Sequence, residues 1–430
     1  MLIFSTILFY LVTGGLSTSI KSEGDATDLK LEGDATDLKL EGDATDLKLE
    51  GDATDLKGPT GKDGFKVGKN MLERVSLENY INATCMDGTT AVYYRQTEMS
   101  ESKKMLIYLE GGGFCVPRVP GFDCETRCVD EPHLCTARTD PFLDTESNKL
   151  STNIWSSDPQ ENPTFHDFFK VFLPYSSSDV HTGTRGPSLL THNFTFHGKY
   201  IVRGMTEDLI QNTWITSAEQ VVLMGGSAGA IGTEANCDSF AGELKMINPN
   251  LDVRCISDSG SLYPYDVHTP FCYPQLLEYA AFQIWDSISD ESCETANTGG
   301  TGANLPCISF GTSFMYADNP ILILMSSEDT VIRTCYSEDL EFWENWRNSL
   351  DLLARKIVVE RPETGMYLAN CAFHVSTNFQ QAWDMMEVPV LDYNNQSTII
   401  LKDLIDNFVN NIRPIQAIDD MDIRNPNCNN

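Results

Sequence analysis

QVVLMGGSAGAIGTEANCDSFAGEL, residues 220–244, is the stretch that decides the fold. It starts with an apolar run typical of a buried strand, continues through the G-x-S-x-G pattern of residues 225–229, and ends in a plausible helix. In this order the glycines leave room for a sharp, strained turn that holds Ser227 exposed above a sheet. The alternative is an ordinary strand-to-helix turn with a capping serine. The pattern therefore predicts a nucleophilic serine, provided that the sequence also contains a general base, an orienting acid and oxyanion donors.

Short apolar runs recur on both sides of this stretch and alternate with helical patterns. They are rich in Val, Ile and Leu without polar alternation, as expected of strands that are covered on both faces. Their alternation with helices predicts an α/β fold, with a mostly parallel sheet flanked by helices. The strand candidates are 105–109, 171–174, 220–225, 253–257, 321–325 and 356–359, and the helix candidates are 201–214, 228–246, 338–354, 376–386 and 398–411. Residues 261–317, rich in proline and aromatic residues and containing three cysteines, are interpreted as an insertion or cap.

A glycine-rich loop provides a second piece of a catalytic site. The sequence LEGGGFC at 109–115 directly follows the apolar run 105–109. A serine that attacks an ester needs backbone N–H donors aimed at the developing oxyanion. Such donors come from the residue after the nucleophile, here Ala228, and from a loop after an earlier strand, here Gly112 or Gly113. A lone run of glycines is usually only a flexible loop, but two matching pieces in this order favour a hydrolase site.

The general base and the acid that orients it are expected after the serine, in the chain order Ser, Asp or Glu, His. His374 follows the last apolar run and is preferred to His268, which lies in the cap-like insertion. The acid then lies between serine and histidine at a strand end, and Asp329 comes soon after the run ILILM. The acids that position leaves open as alternatives are Glu328 and Asp258.

Several motifs together resemble one known family. They are NATCMDGT (82–89), LEGGGFC (109–115), SSDPQENP (156–163), SSDVHTG (177–183), GGSAGAIG (225–232), SDSG (257–260) and NCAFH (370–374). With these motifs in order, residues 72–412 resemble the pectin acetylesterase/Notum family of secreted serine carboxylesterases. The resemblance implies an α/β-hydrolase-like fold, a triad of Ser227, His374 and Asp329, oxyanion donors at Gly112, Gly113 and Ala228, and no metal or other cofactor.

The resemblance leaves the branch of the family open. SSDVHTG and SDSG resemble Notum, which removes a palmitoleoyl group from a serine of secreted Wnt-type proteins. LEGGGFC instead resembles the plant pectin acetylesterases, which have three glycines and then an aromatic residue, here Phe114, whereas Notum has an aromatic residue where Gly113 stands. Phe114 and the aromatic residues of the insertion could line an acyl pocket or pack in the core. A polysaccharide O-acetylesterase and a catalytically silent binding protein on the same fold are therefore the alternatives to a Notum-like deacylase.

The charge of the chain disfavours several classes of partner. Its 430 residues include 62 acidic and 30 basic side chains, a formal net charge of -32. Nucleic acids and anionic membrane surfaces need a basic footprint, so neither is expected to bind. The same acidity disfavours heparan sulfate binding, which the resemblance would otherwise suggest, because sulfated chains need cationic patches. The expected partner is the substrate, an acylated protein or an acetylated polysaccharide.

The N-terminal region is predicted to lie outside the catalytic domain. Leu2–Val12 is almost entirely apolar and is followed by small residues, which is typical of a signal peptide and short for a membrane span. Four copies of GDATDLK, beginning at residues 24, 33, 42 and 51, form an acidic stretch with few side chains to bury. We therefore predict a signal peptide at 1–17, an acidic low-complexity spacer at 18–67 and a carboxylesterase domain at 68–430.

Cysteines and glycosylation sequons also favour secretion. Thirteen cysteines suggest an oxidising compartment, and their odd number leaves one thiol over. Ser176 stands where the family usually has a cysteine, which is one way to reach an odd count. The spacing of Cys124, Cys128 and Cys135 is poor for zinc and favours disulfides. N-glycosylation sequons begin at Asn82, Asn193 and Asn395.

Overall fold

A central sheet of ten strands organises the part of the chain that the structure, a computed structural model, describes. The described residues are 64–67, 70–97, 102–138, 152–260, 273–296, 307, 315–335, 340–391, 397–410 and 415–428. The predicted signal peptide, the four repeats and Asn395 lie outside the described residues. The predictions made for them, including the domain boundaries, stay predictions.

The sheet is antiparallel at one side and parallel over the rest of its width. In chain order the strands are β1 (Gly64–Val67), β2 (Asn70–Ser76), β3 (Val92–Gln96), β4 (Lys104–Leu109), β5 (Phe169–Leu173), β6 (Gln220–Gly226), β7 (Asp252–Asp258), β8 (Ile321–Ser326), β9 (Gly365–Ala369), β10 (Val388–Pro389), β11 (Thr398–Ile399) and β12 (Gln416–Ile418). The order across the sheet is β1-β2-β3-β5-β4-β6-β7-β8-β9-β12, and β10 pairs separately with β11. Across the sheet, each neighbouring pair in the series β5-β4-β6-β7-β8-β9-β12 is parallel. The predicted mostly parallel sheet is therefore confirmed.

Helices cover both faces of the sheet. They are α1 (Cys124–Asp130), α2 (Gly198–Asn212), α3 (Ala228–Ile247), α4 (Tyr273–Tyr279), α5 (Glu291–Ala296), α6 (Thr330–Cys335), α7 (Leu340–Glu360), α8 (Gln380–Asp384) and α9 (Leu401–Asn410). Side chains of α2, α3 and α7 share one buried cluster with one face of the sheet, and those of α9 share a second cluster with the other face. Within β4, for example, Ile107 belongs to the first cluster and Leu106 to the second. Strands buried on both faces explain the continuous apolar runs, and the fold is of the predicted α/β-hydrolase-like class.

One predicted strand is wrong. Residues 356–359 (KIVV) belong to the end of helix α7, and the next strand along the chain is β9. Ile357 is 0% exposed whereas Val359 is 75% exposed, which is the one-sided burial of an amphipathic helix. A short apolar run at the end of a helix has the same composition as a buried strand, and periodicity over four residues does not separate them.

Five disulfide bridges lie among the described residues. They join Cys115 to Cys124, Cys128 to Cys135, Cys237 to Cys255, Cys293 to Cys307 and Cys371 to Cys428. The first two bridges follow the glycine-rich loop, so the prediction of disulfides for that cysteine cluster is confirmed. The fourth lies in the predicted cap, of which residues 261–272, 297–306 and 308–314 are outside the described part of the chain.

None of the described helices is long and apolar enough to cross a bilayer.

A buried thiol lies beside Ser176. Cys85 is free and 0% exposed, and the Ser176 hydroxyl is a hydrogen-bond partner of its thiol. The adjacent backbone is joined as well, because the Met86 N–H donates to the Ser176 carbonyl at 2.9 Å. Ser176 therefore stands next to the one free cysteine among the described side chains, at the position where the family resemblance expects a cysteine.

We expect Ser176→Cys to form a disulfide with Cys85 and to raise the free energy of unfolding by about 2–4 kcal/mol, because the bridge closes a loop of roughly 90 residues in the unfolded chain. Equilibrium unfolding and thiol titration in denaturant measure the two effects. The double variant Cys85→Ser/Ser176→Cys cannot form this bridge and serves as the control. More reactive thiols in Ser176→Cys than in the wild type would show that the two side chains do not pair.

Candidate active site

Ser227 lies at a strained turn between β6 and α3. Its backbone has φ 56° and ψ -123°, a conformation that costs a non-glycine residue free energy and that clusters at functional sites. A Cβ at Gly225 would lie 2.2 Å from the Gly229 carbonyl oxygen, and a Cβ at Gly229 would lie 2.1 Å from the Leu109 carbonyl oxygen. Side chains at either glycine would therefore collide with backbone. The turn has the strand–turn–helix geometry expected of a nucleophile elbow, and Ser227 is partly exposed at its tip.

The glycine-rich loop passes directly against this elbow. Leu109 at the end of β4 pairs with Gly225 at the end of β6, and a Cβ at Gly111 would lie 2.9 Å from the Ser227 Cβ. Gly112 and Gly113 follow with φ 143° and 70°, which favour glycine. On the other side of the serine, Ala228 is the first residue of α3, where N–H groups have no acceptor within the helix. The predicted oxyanion donors are thus placed on two segments in contact with each other.

His374 and Asp329 form a hydrogen-bonded pair. His374 Nδ1 lies 2.8 Å from Asp329 Oδ2, with 20% and 3% of the two side chains exposed. Because an ionised carboxylate only accepts, Nδ1 is the donor in this hydrogen bond, and in the neutral ring the lone pair then lies on Nε2. The other carboxylate oxygen accepts the N–H groups of Val331 and Ile332 at 2.9 and 3.2 Å, at the start of α6. Glu328, the neighbouring alternative, instead pairs with Arg347 at 3.5 Å.

The histidine loop also contacts the elbow. A Cβ at Gly226, which precedes Ser227, would lie 2.9 Å from Cγ1 of Val375, which follows His374. Asp329 follows β8 and His374 follows β9, and the parallel strands bring both to the carboxyl edge of the sheet, where Ser227 follows β6. The structure thus gathers all three predicted residues at one edge. His268, the rejected base, lies outside the described residues.

A comparison with family models assigns the chain. The model described as pectinacetylesterase matches residues 65–429. The chain belongs to the pectinacetylesterase family. The match includes every element of the site described above, from the glycine-rich loop to the histidine loop.

Curated relatives of this chain are named for one activity, that of a palmitoleoyl-protein carboxylesterase. Palmitoleoyl-protein carboxylesterase notum1a of Danio rerio is 32% identical over 231 residues, which are 52% of this chain and 44% of the relative. Palmitoleoyl-protein carboxylesterase NOTUM of Homo sapiens is 31% identical over 228 residues, 51% of this chain and 44% of the relative. NOTUM of Drosophila melanogaster is 31% identical over 234 residues, 52% of this chain and 32% of the relative. The chain therefore spans less than half the length of these relatives.

Two side chains bind main-chain carbonyls of the glycine-rich loop of this pectinacetylesterase family member. The Arg127 guanidinium donates to the Gly112 carbonyl, and its Nε donates to the Ser178 hydroxyl at 2.8 Å. The His181 ring donates through Nε2 to the Glu110 carbonyl at 2.8 Å, since a carbonyl can only accept. In a trans peptide the N–H points opposite to the C=O, so the bond from Arg127 also fixes the direction of the Gly113 N–H.

Sequence reasoning missed both of these side chains. His181 lies in SSDVHTG, a motif that the family resemblance had already singled out, and that motif was the available signal. Asp179 of the same motif is fully buried and accepts the N–H of Gly198, the first residue of α2, at 2.8 Å. Burial raises the pKa of Asp179 to about 6. Arg127 lies between two disulfide cysteines, and nothing in its sequence context points to the glycine-rich loop.

We expect the buried His181 to make the fold sensitive to acid. Burial lowers its pKa to about 4, below the ordinary 6.5, so the ring is neutral in the folded state at neutral pH. A depressed histidine pKa gives stability that is complete above pH 6.5 and is lost as pH falls towards 4. The difference in free energy of unfolding between wild type and His181→Gln should therefore shrink by about 3 kcal/mol over this range. Urea unfolding at a series of pH values measures it, and a difference that stays constant with pH would contradict the assignment.

The predicted pocket residue Phe114 lies in a buried aromatic cluster. It is 5% exposed, and its ring centroid is 5.3 Å from that of Phe122 and 5.6 Å from that of Trp285. Trp285, one of the insertion aromatics, is itself fully buried. These contacts are those of core packing, and a role for Phe114 in binding an acyl group stays a prediction. The neighbouring residue Gly113 is less crowded. Among the described atoms, a Cβ at Gly113 would have only Arg127 Nη1 within 4 Å, at 3.9 Å.

Two of the three sequon asparagines can be located. Asn82 and Asn193 are both exposed, with φ 61° and 64°. Their segments lie together, because the Thr195 N–H of the second sequon donates to the Met86 carbonyl at 2.9 Å. Both side chains are therefore accessible to a glycan on the folded chain.

No group of three or more His, Cys, Asp or Glu side chains that could hold a metal ion occurs among the residues described.

Proposed function

We propose that this chain is a secreted serine carboxylesterase that hydrolyses O-acyl esters, with Ser227 as nucleophile, His374 as general base and Asp329 as the acid that orients it. The observation that carries the proposal is the 2.8 Å hydrogen bond from His374 Nδ1 to Asp329 Oδ2, beside the strained serine. A serine, an acid and a histidine in this chain order form an acyl-transfer site in hydrolases of this fold. The family match and the carboxylesterase names of the relatives support the same chemistry.

The first half of the reaction acylates the enzyme. His374 Nε2 takes the proton of the Ser227 hydroxyl as its oxygen attacks the ester carbonyl carbon. The negative charge moves to the carbonyl oxygen, where N–H groups of Ala228 and of Gly112 or Gly113 receive it; one such donor is worth about 10²–10³-fold in rate. The protonated His374 then gives its proton to the leaving alcohol oxygen. The alcohol departs and leaves the acyl group on Ser227.

The second half hydrolyses the acyl-enzyme. His374 Nε2 takes a proton from water, whose oxygen attacks the acyl carbon, and the same N–H groups stabilise the second oxyanion. The C–O bond to Ser227 breaks, and His374 returns the proton to the serine oxygen. Throughout, Asp329 keeps the ring in the tautomer with Nδ1 protonated and stabilises the imidazolium when it forms.

The substrate class that we propose first is an acylated protein. The relatives are named palmitoleoyl-protein carboxylesterases, and this chain would then act on a lipidated protein of the Wnt type. The second candidate is an acetylated, pectin-type polysaccharide. Gly113 favours it, because the plant pectin acetylesterases that LEGGGFC resembles have a glycine there, whereas Notum has an aromatic residue. A catalytically silent binding protein is the third candidate, which the presence of Ser227, His374 and Asp329 together disfavours.

Secretion is part of the proposal. Five disulfides among the described residues favour an oxidising compartment, and the exposed Asn82 and Asn193 are available for glycans. With a net charge of -32, the chain is not proposed to bind nucleic acid or heparan sulfate.

The experiment is a series of nitrophenyl esters with acyl chains from acetate to palmitate, with Ser227→Ala measured beside the wild type. We expect the wild type to hydrolyse at least the short and medium esters. A preference for acyl groups of eight or more carbons supports a protein deacylase, and a preference for acetate supports a polysaccharide deacetylase. Wild-type rates equal to those of Ser227→Ala on every ester would contradict the proposed function.

A further inference from the structure

One buried residue contacts both the serine segment and the histidine segment. Asp258, the last residue of β7, is 0% exposed. It is the register partner of Gly226 in the neighbouring strand β6, and its main-chain carbonyl accepts the Ser227 N–H at 2.9 Å. The backbone of the nucleophile is therefore tied to the end of β7.

The Asp258 carboxylate is saturated by the turn that follows the histidine. Oδ1 accepts the Ser376 N–H at 2.9 Å and the Ser376 hydroxyl at 2.8 Å. Oδ2 accepts the Thr377 N–H at 2.9 Å and the Thr377 hydroxyl at 2.6 Å. An ionised carboxylate has about four lone-pair sites, and hydrogen bonds to an ionised group are about twice as strong as neutral ones. Four of its hydrogen bonds therefore come from these two residues, and the Ser259 hydroxyl donates a longer one to Oδ1 at 3.4 Å.

Between this turn and His374 lies a strained residue. Val375 has φ 60°, which is a genuine outlier for a β-branched side chain and costs about 1–3 kcal/mol. Its N–H donates to the Ser259 hydroxyl at 2.9 Å, next to Asp258 in the chain. Such a conformation persists only where the surroundings enforce it, and here residues 258 and 259 do so. The bend at Val375 sets the direction in which the chain leaves His374.

We propose that Asp258 is a positioning residue, which sets the His374 imidazole against the Ser227 hydroxyl by holding one segment with its main chain and the other with its carboxylate. The proposal rests on the proposed function. The imidazole itself is paired with Asp329, so Asp258 acts through the backbone of residues 375–377 and not as the orienting acid. A displacement of about 1 Å between reacting groups costs about 10²-fold in rate, which makes such a support essential to the chemistry.

The test is Asp258→Asn, which keeps the shape of the side chain. Its amide nitrogen would face a backbone N–H of the turn, which can only donate, so at least one of the four hydrogen bonds to the turn is lost. We expect kcat to fall about 100-fold, with KM within about twofold of the wild type, because substrate contacts stay in place. The matched control is Asp208→Asn. Asp208 is also buried and accepts the Tyr80 and Tyr93 hydroxyls at 2.9 and 2.6 Å, but it lies in α2 and touches neither catalytic segment.

The control separates positioning from general loss of stability. Asp208→Asn should lower the melting temperature while leaving kcat unchanged. If Asp258→Asn does not fold, the double variant Ser376→Ala/Thr377→Val decides, since it removes two donors and leaves the carboxylate paired with two N–H groups; we expect about a tenfold fall in kcat there. An active wild type with unchanged kcat in either folded variant would overturn this proposal alone. An inactive wild type would contradict the proposed function and this proposal with it.

Discussion

Replacing Ser227 with alanine should lower kcat by about 10⁵-fold or more, to the level left by binding and the oxyanion donors. Without the hydroxyl there is no acyl-enzyme, and His374 has no proton to take in the first step. The matched control is Ser239→Ala on the same helix, whose hydroxyl bonds to Lys199 at 3.1 Å, away from the elbow. That variant should keep wild-type kcat.

The strained backbone of Ser227 can be tested through the free energy of unfolding. Its φ of 56° is strained for any residue with a side chain, so Ser227→Gly should raise the free energy of unfolding by about 1 kcal/mol while removing activity. Denaturant unfolding and ester hydrolysis are measured on the same preparation. Activity that survives either substitution at Ser227 would show that another group is the nucleophile.

Asp329→Asn should lower kcat by about 10⁴-fold while the fold is kept. The asparagine carbonyl oxygen can still accept the N–H groups at the start of α6, which Asp329 Oδ1 accepts at 2.9 and 3.2 Å. Its amide nitrogen would then face His374 Nδ1 and favour the tautomer with Nε2 protonated. That tautomer cannot take the serine proton.

The neighbouring acid offers a matched control. Glu328 pairs with Arg333 and Arg347 at 3.9 and 3.5 Å instead of with the histidine, so Glu328→Gln should change kcat by less than about twofold. Steady-state kinetics on one nitrophenyl ester compare the two variants. A large loss in Glu328→Gln with an active Asp329→Asn would mean that the orienting acid is misassigned.

The elbow could be read from sequence because its constraints are local. Gly225 and Gly229 are required by backbone contacts a few ångströms from Ser227, so the motif itself carries the geometry. The pair His374 and Asp329 could be reached through strand order, because each follows a buried strand and the parallel strands end at one edge. The strand prediction for residues 356–359 was wrong for the opposite reason. The apolar composition of this run fits a strand, and only its packing within α7 shows that it is helical.

The supporting residues could not be read from sequence in the same way. The position of Asp258 after a strand indicates only an alternative acid, since nothing local indicates that its carboxylate binds a turn more than a hundred residues further on. Arg127 and His181 reach the glycine-rich loop from separate segments by contacts that depend on the completed fold. Long-range hydrogen bonds of this kind have no periodic pattern in one chain, and the motif SSDVHTG marks His181 without showing what its ring contacts.

The central claim is that Ser227 is the nucleophile of an ester hydrolase, and covalent labelling tests it most directly. The wild type is treated with a serine-reactive fluorophosphonate, assayed for ester hydrolysis and digested for peptide mass spectrometry. We predict one adduct, on the peptide that contains Ser227, with activity lost in proportion to labelling. Full activity without an adduct at Ser227, or loss of activity with the adduct on a different serine, would contradict the account.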